Sequence, residues 1–224
     1  LLAAVQEIAA DRSVRAVLLK GAGRAFVAGG DLATLQANPV QGAQDLLEPL
    51  NAAVTLLHGL DAPVIAQVHG AAAGAGLSLM LMCDFVLAAE GTKFNLAYIN
   101  LGTSCDVGAS WALPRLVGVR KAIEIAWLGE AFTADDALRL GLINRVVPAT
   151  ELQAATTALA QRLSSGPTVA YGAMKRLMRE SMDRTLPEQL AAEAQAFVCC
   201  ARTQDFKTGV DAFRARQSAH FVGC

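Results

Sequence analysis

The sequence lacks an excess of charge of either sign. Its 224 residues include 19 Lys and Arg against 20 Asp and Glu, which gives a formal net charge of -1. A chain without a global basic field does not attract nucleic acid or an anionic membrane surface, so we expect neither as a partner. Any anionic ligand must therefore be held by local contacts.

Regularly spaced cysteines and long apolar runs are also missing. The cysteines are Cys83, Cys105, Cys199, Cys200 and Cys224. Their spacing fits neither a metal site nor a disulfide framework, which indicates a reducing, cytoplasmic location. The longest apolar stretch, residues 71–83, is too short to span a membrane, and no signal-peptide pattern opens the chain. Because residues 1–5 already lie inside a helical pattern, we expect an N-terminal element to be missing.

What the sequence has is enough apolar material for a sizeable core, since 54% of its residues are hydrophobic and its mean hydropathy is +0.38. Apolar runs typical of buried strands alternate with helical patterns, which predicts an α/β fold with parallel strand pairing. The predicted strands are residues 14–19, 64–68 and 85–88. The predicted helices are residues 1–9, before the first strand, and residues 44–57 and 77–82, between the strands.

From residue 107 onward the pattern is almost wholly helical. Thr133 followed by Asp135 and Asp136 is typical of a helix N-terminus. Four further helices are predicted, at residues 151–164, 168–182, 186–200 and 205–217. We therefore predict two parts, an α/β core over residues 1–148 and a helical C-terminal region over residues 149–224.

Two loops rich in Gly and Ala, residues 29–31 and 70–76, follow two of the predicted strands. Backbone N–H groups in such loops are left uncovered, and two of them converging on one point would form an oxyanion hole. Close packing of a strand against a helix would explain the small residues equally well. A phosphate-binding P-loop is disfavoured, because no Lys-Ser/Thr pair follows the second loop.

Longer stretches around these loops resemble the enoyl-CoA hydratase/isomerase (crotonase) family. They are residues 23–32 (GRAFVAGGDL), 63–84, 113–118 (LPRLVG), 131–137 (AFTADDA) and 141–148 (GLINRVVP), in the expected order. The resemblance implies a spiral of β-β-α units with a helical C-terminal trimerisation region. It also implies thioester-enolate chemistry on acyl-CoA, in which coenzyme A enters as part of the substrate and no cofactor is permanently bound.

The resemblance assigns the two oxyanion-hole amides to Gly30 and Ala75. Hydratases of the family carry two glutamates at the positions that here hold Ser78 and Tyr98. A serine hydroxyl is not a base by itself, and an unperturbed tyrosine has a pKa of about 10. We expect these two side chains to line the acyl pocket instead.

One carboxylate remains in this region, that of Asp106. Its position matches an acidic residue of family isomerases that use a single aspartate, such as 1,2-epoxyphenylacetyl-CoA isomerase, and a nucleophilic aspartate in a dehalogenase relative. Asp106 would equally suit a helix N-cap. One carboxylate suffices for a 1,3-proton shift, and an apolar pocket would raise its pKa. We predict an enoyl-CoA isomerase with Asp106 as proton shuttle, with an atypical hydratase or a non-catalytic CoA-ester-binding relative as the alternatives.

The remaining predicted site residues contact substrate around the two loops and along the acyl pocket. The predicted substrate-binding set is Ala28, Asp31, Leu32, Ser78, Tyr98, Leu101 and Trp111. By family analogy Phe213 and Phe221 would pack on the adenine of coenzyme A. His58 and His69 are expected to be structural.

The helices after residue 150 are more apolar than a small α/β core needs for cover. Together with the resemblance, this predicts a homotrimer or a dimer of trimers. Sedimentation velocity at micromolar concentration should show one of these species, and a monomer alone would contradict the prediction.

Overall fold

The computed structural model describes all 224 residues, and its backbone forms two compact units. The first unit contains Leu1–Asp11, Leu18–His58 and Val64–Thr157. The second unit contains Arg12–Val17, Gly59–Pro63 and Ala158–Cys224. The domain boundary predicted between residues 148 and 149, which separates an α/β core from a helical region, stays a prediction.

Seven short strands form two sheets. They are β1 (Val17–Lys20), β2 (Val64–Val68), β3 (Ala71–Ala73), β4 (Phe85–Ala89), β5 (Lys93–Asn95), β6 (Phe132–Thr133) and β7 (Arg145–Val147). One sheet has the order β1-β2-β4-β7 and the other has the order β3-β5-β6. The pairs β2-β4, β4-β7 and β3-β5 are parallel, as predicted, and β5-β6 is antiparallel.

Ten α-helices accompany the strands. They are α1 (Leu2–Ala10), α2 (Leu32–Ala37), α3 (Pro39–Gly59), α4 (Ala75–Leu81), α5 (Ala109–Leu128), α6 (Ala134–Arg139), α7 (Leu152–Ser164), α8 (Thr168–Glu180), α9 (Leu186–Ala201) and α10 (Gln204–Ala215). Short 3-10 turns cover Tyr98–Leu101 and Ser181–Asp183. The run from α7 to α10 confirms the predicted helical C-terminal region. None of the ten helices combines the length and the apolar character needed to cross a membrane.

The strand β2 is central to the core of the first unit. All five of its residues are buried, as expected of a parallel strand covered on both faces. Its one polar side chain, Gln67, accepts a hydrogen bond of 2.7 Å from the buried hydroxyl of Thr156. The start of the strand is fixed by Asp84, whose carboxylate accepts from the N–H of Val64 at 2.8 Å. The buried polar groups of this strand are thus satisfied.

Several sequence-based boundaries were wrong. The loop predicted over residues 70–76 contains β3, and α4 begins inside it, at Ala75. The strand predicted over residues 14–19 begins at Val17, and α3 begins at Pro39 rather than at residue 44. The helix α2 and the strand β5 were missed. Strands of three residues carry no readable period, and three alanines become a strand here because β5 pairs with them.

The predicted helix start at Thr133 is confirmed by a reciprocal capping box. The Thr133 hydroxyl accepts from the N–H of Asp136 at 3.1 Å, and the Asp136 carboxylate accepts from the N–H of Thr133 at 3.0 Å.

Gly76, in α4, marks the closest approach of this helix to the first glycine-rich segment. A Cβ atom at this position would overlap the carbonyl oxygen of Val27 and lie 2.7 Å from the Val27 Cβ. Since the obstacle is backbone, no side-chain rotation can relieve it. Only glycine allows α4 to pack this closely.

We predict that Gly76→Ala lowers the free energy of unfolding by about 2–3 kcal/mol through overpacking. The matched control is Gly59→Ala, because no atom lies within 4 Å of a Cβ built there. That control should stay within about 0.5 kcal/mol of the wild type. Chemical denaturation followed by circular dichroism measures both values, and equal stability of the two variants would contradict the packing account.

Candidate active site

The two glycine-rich loops are held side by side by a short parallel bridge. Val27 pairs with Ala72, its N–H donates to the Ala71 carbonyl at 3.3 Å, and its carbonyl accepts from the Ala73 N–H at 3.0 Å. Beyond this bridge Gly29 and Gly74 turn the two chains with φ values of 120° and 52°. Both values favour glycine.

The bridge places the two segments that carry the predicted oxyanion donors next to each other. Val27 lies opposite Ala72, and a Cβ built on Gly74 would lie 3.8 Å from the Gly29 Cα. The next residues along the two chains are Gly30 and Ala75. Neither of their N–H groups donates a hydrogen bond within the chain. Both N–H groups therefore remain available as donors, and their role in binding an oxyanion stays a prediction.

Asp31, predicted to bind substrate, caps α2. Its carboxylate accepts from the N–H of Ala33 at 3.0 Å and from the hydroxyl of Thr34 at 2.9 Å. These hydrogen bonds, the one from the Thr34 hydroxyl first, lower the pKa of the Asp31 carboxyl. The capping role was not predicted, although Asp is one of the residues that favour the N-cap position. Ala28 and Leu32 lie exposed on either side of this turn.

A chain of three polar side chains forms the second part of the site. Ser78, on α4, is fully buried, and its Oγ lies 2.9 Å from the Oη of Tyr98. The Tyr98 hydroxyl in turn donates to Oδ1 of Asp106. The structure thus joins the two residues that replace the family's glutamates to the one carboxylate predicted to act.

Local backbone geometry positions both ends of the Tyr98 to Asp106 contact. Ala97 and Val107, the neighbours of these residues, each have a φ of 55°, in the left-handed region. The side chain of Asn95 supports the first turn by accepting from the Ala97 N–H at 2.7 Å. For a β-branched residue such as Val107 this conformation is a true outlier, and Val107 is only 2% exposed. Such strain, held in place by packing, is typical of functional sites.

The alternative assignment of Asp106 as a helix cap was wrong. The N-cap of α5 is Gly108, and no side chain caps this helix. Asp106 contributes only its carbonyl oxygen, which accepts from the Ala109 N–H at 3.1 Å. Because Val107 turns the chain into the left-handed region, the Asp106 carboxylate is directed to Tyr98 rather than to the first turn of the helix.

Burial sets the protonation behaviour of this pair. Burial raises the pKa of Asp106, and the hydrogen bond from Tyr98 opposes part of that rise. Burial, then the hydrogen bond to Asp106, raises the pKa of Tyr98 well above its usual value. Tyr98 therefore stays a protonated donor at all ordinary pH values. Of the three hydrogen-bonded side chains, Asp106 is the one that titrates.

The other predicted pocket residues lie at the edges of this region. Leu101 ends the 3-10 turn and is 58% exposed. Trp111 lies in the first turn of α5, and the Arg115 guanidinium lies 4.2 Å from its ring centroid. The Trp111 and His58 rings meet in a T-shaped contact with their centroids 5.4 Å apart. The Nε2–H of His69 donates a hydrogen bond to the Gly23 carbonyl at 3.0 Å. The substrate contacts of Leu101 and Trp111 stay predictions.

No three His, Cys, Asp or Glu side chains gather in an arrangement that could hold a metal ion. The polar groups described in this region include the Asp106 carboxyl, the hydroxyls of Ser78 and Tyr98 and the backbone N–H groups of Gly30 and Ala75.

The chain is similar to known proteins over almost its whole length. The family model described as enoyl-CoA hydratase/isomerase matches residues 1–223. The 1,2-epoxyphenylacetyl-CoA isomerase of Escherichia coli is 37% identical over 223 residues, covering 98% of this chain and 85% of that protein. The crotonyl-CoA hydratase of Syntrophomonas wolfei is 34% identical over 220 residues, covering 98% of this chain and 85% of that protein.

The fold is shared over almost the whole chain with a crystal structure of an enoyl-CoA hydratase from Polaromonas sp. JS666. The TM-score is 0.91 at 34% sequence identity, and the match covers 98% of this chain and 86% of that one. This likeness confirms the fold class predicted from the sequence.

Proposed function

Because the chain belongs to the enoyl-CoA hydratase/isomerase family, we propose that it moves a double bond within an enoyl-CoA thioester, with Asp106 as the proton shuttle. Family membership alone does not choose between isomerase and hydratase, since relatives of both names are similar to this chain. The observation that carries the choice is the composition of the polar chain. It holds one carboxylate, on Asp106, and two neutral hydroxyls.

A 1,3-proton shift needs one base that later acts as an acid. Asp106 takes a proton from one carbon of the acyl chain and becomes a neutral carboxylic acid. The electron pair left behind delocalises onto the thioester oxygen, which accepts hydrogen bonds from the N–H groups of Gly30 and Ala75. Asp106 then returns the proton to a carbon further along the chain, so that no atom is gained or lost. General acid–base catalysis of this kind contributes roughly 100- to 10,000-fold.

Addition of water to a double bond requires two functional groups in the site. One group must activate water while another delivers a proton to the α-carbon. Tyr98 is already committed as a donor to Asp106 and holds its proton strongly, and the Ser78 hydroxyl is not acidic enough to replace it. The hydratase alternative rests on the similarity to the crotonyl-CoA hydratase, and would use Tyr98 and Asp106 together to hold the water.

The proposal also covers the coenzyme A part of the substrate and the oligomeric state of the protein. Coenzyme A enters and leaves as part of the thioester, and the working form is a cytoplasmic homotrimer or dimer of trimers. Phe213, which is 86% exposed, and Phe221 are available to pack on the adenine.

The experiment that tests the function is incubation with a panel of 2-enoyl- and 3-enoyl-CoA esters. An isomerase converts one series into the other without a change of mass, whereas a hydratase adds the mass of water. Binding of the esters without any turnover would identify a non-catalytic relative and overturn the proposal.

We predict that Asp106→Asn lowers turnover by about 100-fold or more while leaving the affinity for the CoA ester nearly unchanged. The amide keeps the size of the side chain but cannot take a proton. Wild-type turnover should also fall as the pH drops through the raised pKa of Asp106, because only the carboxylate is a base. Steady-state kinetics and calorimetric binding measure these effects, and full activity of the variant would remove Asp106 from the mechanism.

The oxyanion donor has its own test in Ala75→Pro. Proline is tolerated at the first position of a helix but lacks the N–H, so the fold should survive while turnover falls about 100- to 1000-fold. The matched control is Ala75→Gly, which keeps the donor and should remain close to wild type. A folded proline variant with normal turnover, judged by circular dichroism and kinetics, would show that this N–H is not used.

A further inference from the structure

We propose that Tyr98 is a positioning residue that holds Oδ1 of Asp106, with Ser78 turned toward Tyr98, so that Oδ2 alone exchanges the proton with substrate. This inference rests on the proposed role of Asp106. It assigns a task to the two hydroxyls that replace the glutamates of the family's hydratases. Both residues then act through Asp106 rather than on the substrate.

The direction of the hydrogen bonds follows from counting protons. The Tyr98 hydroxyl has one proton and donates it to Oδ1 of Asp106. The contact of 2.9 Å between Ser78 Oγ and Tyr98 Oη must then use the proton of Ser78. The only competing acceptor for that proton is the Gly74 carbonyl, at the longer distance of 3.3 Å. A hydroxyl that accepts a hydrogen bond becomes a better donor, so Ser78 strengthens the hold of Tyr98 on Asp106.

The two oxygens of Asp106 are therefore not equivalent. Oδ1 accepts from Tyr98, whereas Oδ2 makes no hydrogen bond within the chain. A carboxylate held through one oxygen loses its freedom to rotate, and its other oxygen keeps a fixed direction. Proton transfer to and from two carbons of one acyl chain depends on such a fixed direction.

Ser78 also connects this pair to the oxyanion donors. Its own N–H donates to the Gly74 carbonyl at 3.1 Å, and its Oγ lies 3.3 Å from the same oxygen. That carbonyl belongs to the peptide unit whose N–H is the proposed donor of Ala75. The orientation of this peptide and the placement of Tyr98 thus depend on one buried serine. Ser78 thus fixes the position of the proposed base, Asp106, relative to the proposed oxyanion donor, the N–H of Ala75.

The test is a titration of the Asp106 carboxyl by carbon-13 NMR in the full-length protein labelled at aspartate, with the resonance assigned by its loss in Asp106→Asn. Tyr98→Phe removes the hydrogen bond that opposes the effect of burial on the pKa of Asp106. The Asp106 carboxyl should therefore become about 10- to 100-fold weaker as an acid. Ser78→Ala should shift the midpoint in the same direction by a smaller factor. Tyr171→Phe, which alters the only other tyrosine, is the matched control and should leave the midpoint unchanged.

Turnover provides the second measurement. The acidic limb of the kcat/KM profile should move to higher pH in Tyr98→Phe by the same factor as the NMR midpoint, and activity should recover as the pH rises. An unmoved midpoint, or an equal loss of activity at every pH, would overturn the positioning role. The proposed function is judged separately, because full activity of Asp106→Asn would defeat it whatever Tyr98→Phe shows. Thermal melting checks that each variant is folded.

Discussion

The hydrogen bonds between Val27 and the strand Ala71–Ala73 are the constraint on which the site depends. They hold together two segments that are far apart in the chain, one carrying Gly30 and the other Ala75. Gly76 permits the approach, since any larger residue would meet the Val27 carbonyl. A strand of only three alanines thereby determines where the two predicted oxyanion donors lie.

The polar chain from Ser78 to Asp106 keeps the number of charges in the half-buried region low. Glutamates at positions 78 and 98 would add two carboxylates beside Asp106, and like charges at such distances raise one another's pKa values. Two hydroxyls instead leave Asp106 as the only ionisable acid and supply it with a donor. The replacement of both glutamates is thus physically consistent with reliance on a single aspartate.

Much of the fold could be predicted from the sequence, because long periodic segments and the signature stretches are local signals. The short elements could not, since β3 and β5 exist only through pairing with each other. For the site, the resemblance pointed to Gly30, Ala75 and Asp106 one by one. The contact that joins Ser78, Tyr98 and Asp106 was missed. It depends on left-handed turns at Ala97 and Val107, and neither alanine nor valine is a residue type that predicts such a turn.

The bridge at Val27 also divides the chain by its tolerance of insertions and deletions. The segment between the two donor loops contains α2 and α3, and its length does not enter the pairing of Val27 with Ala72. Residues can be gained or lost there while that pairing is kept. The stretch from Val27 to Gly30 has no such freedom, because each residue added there moves Gly30 away from the bridge.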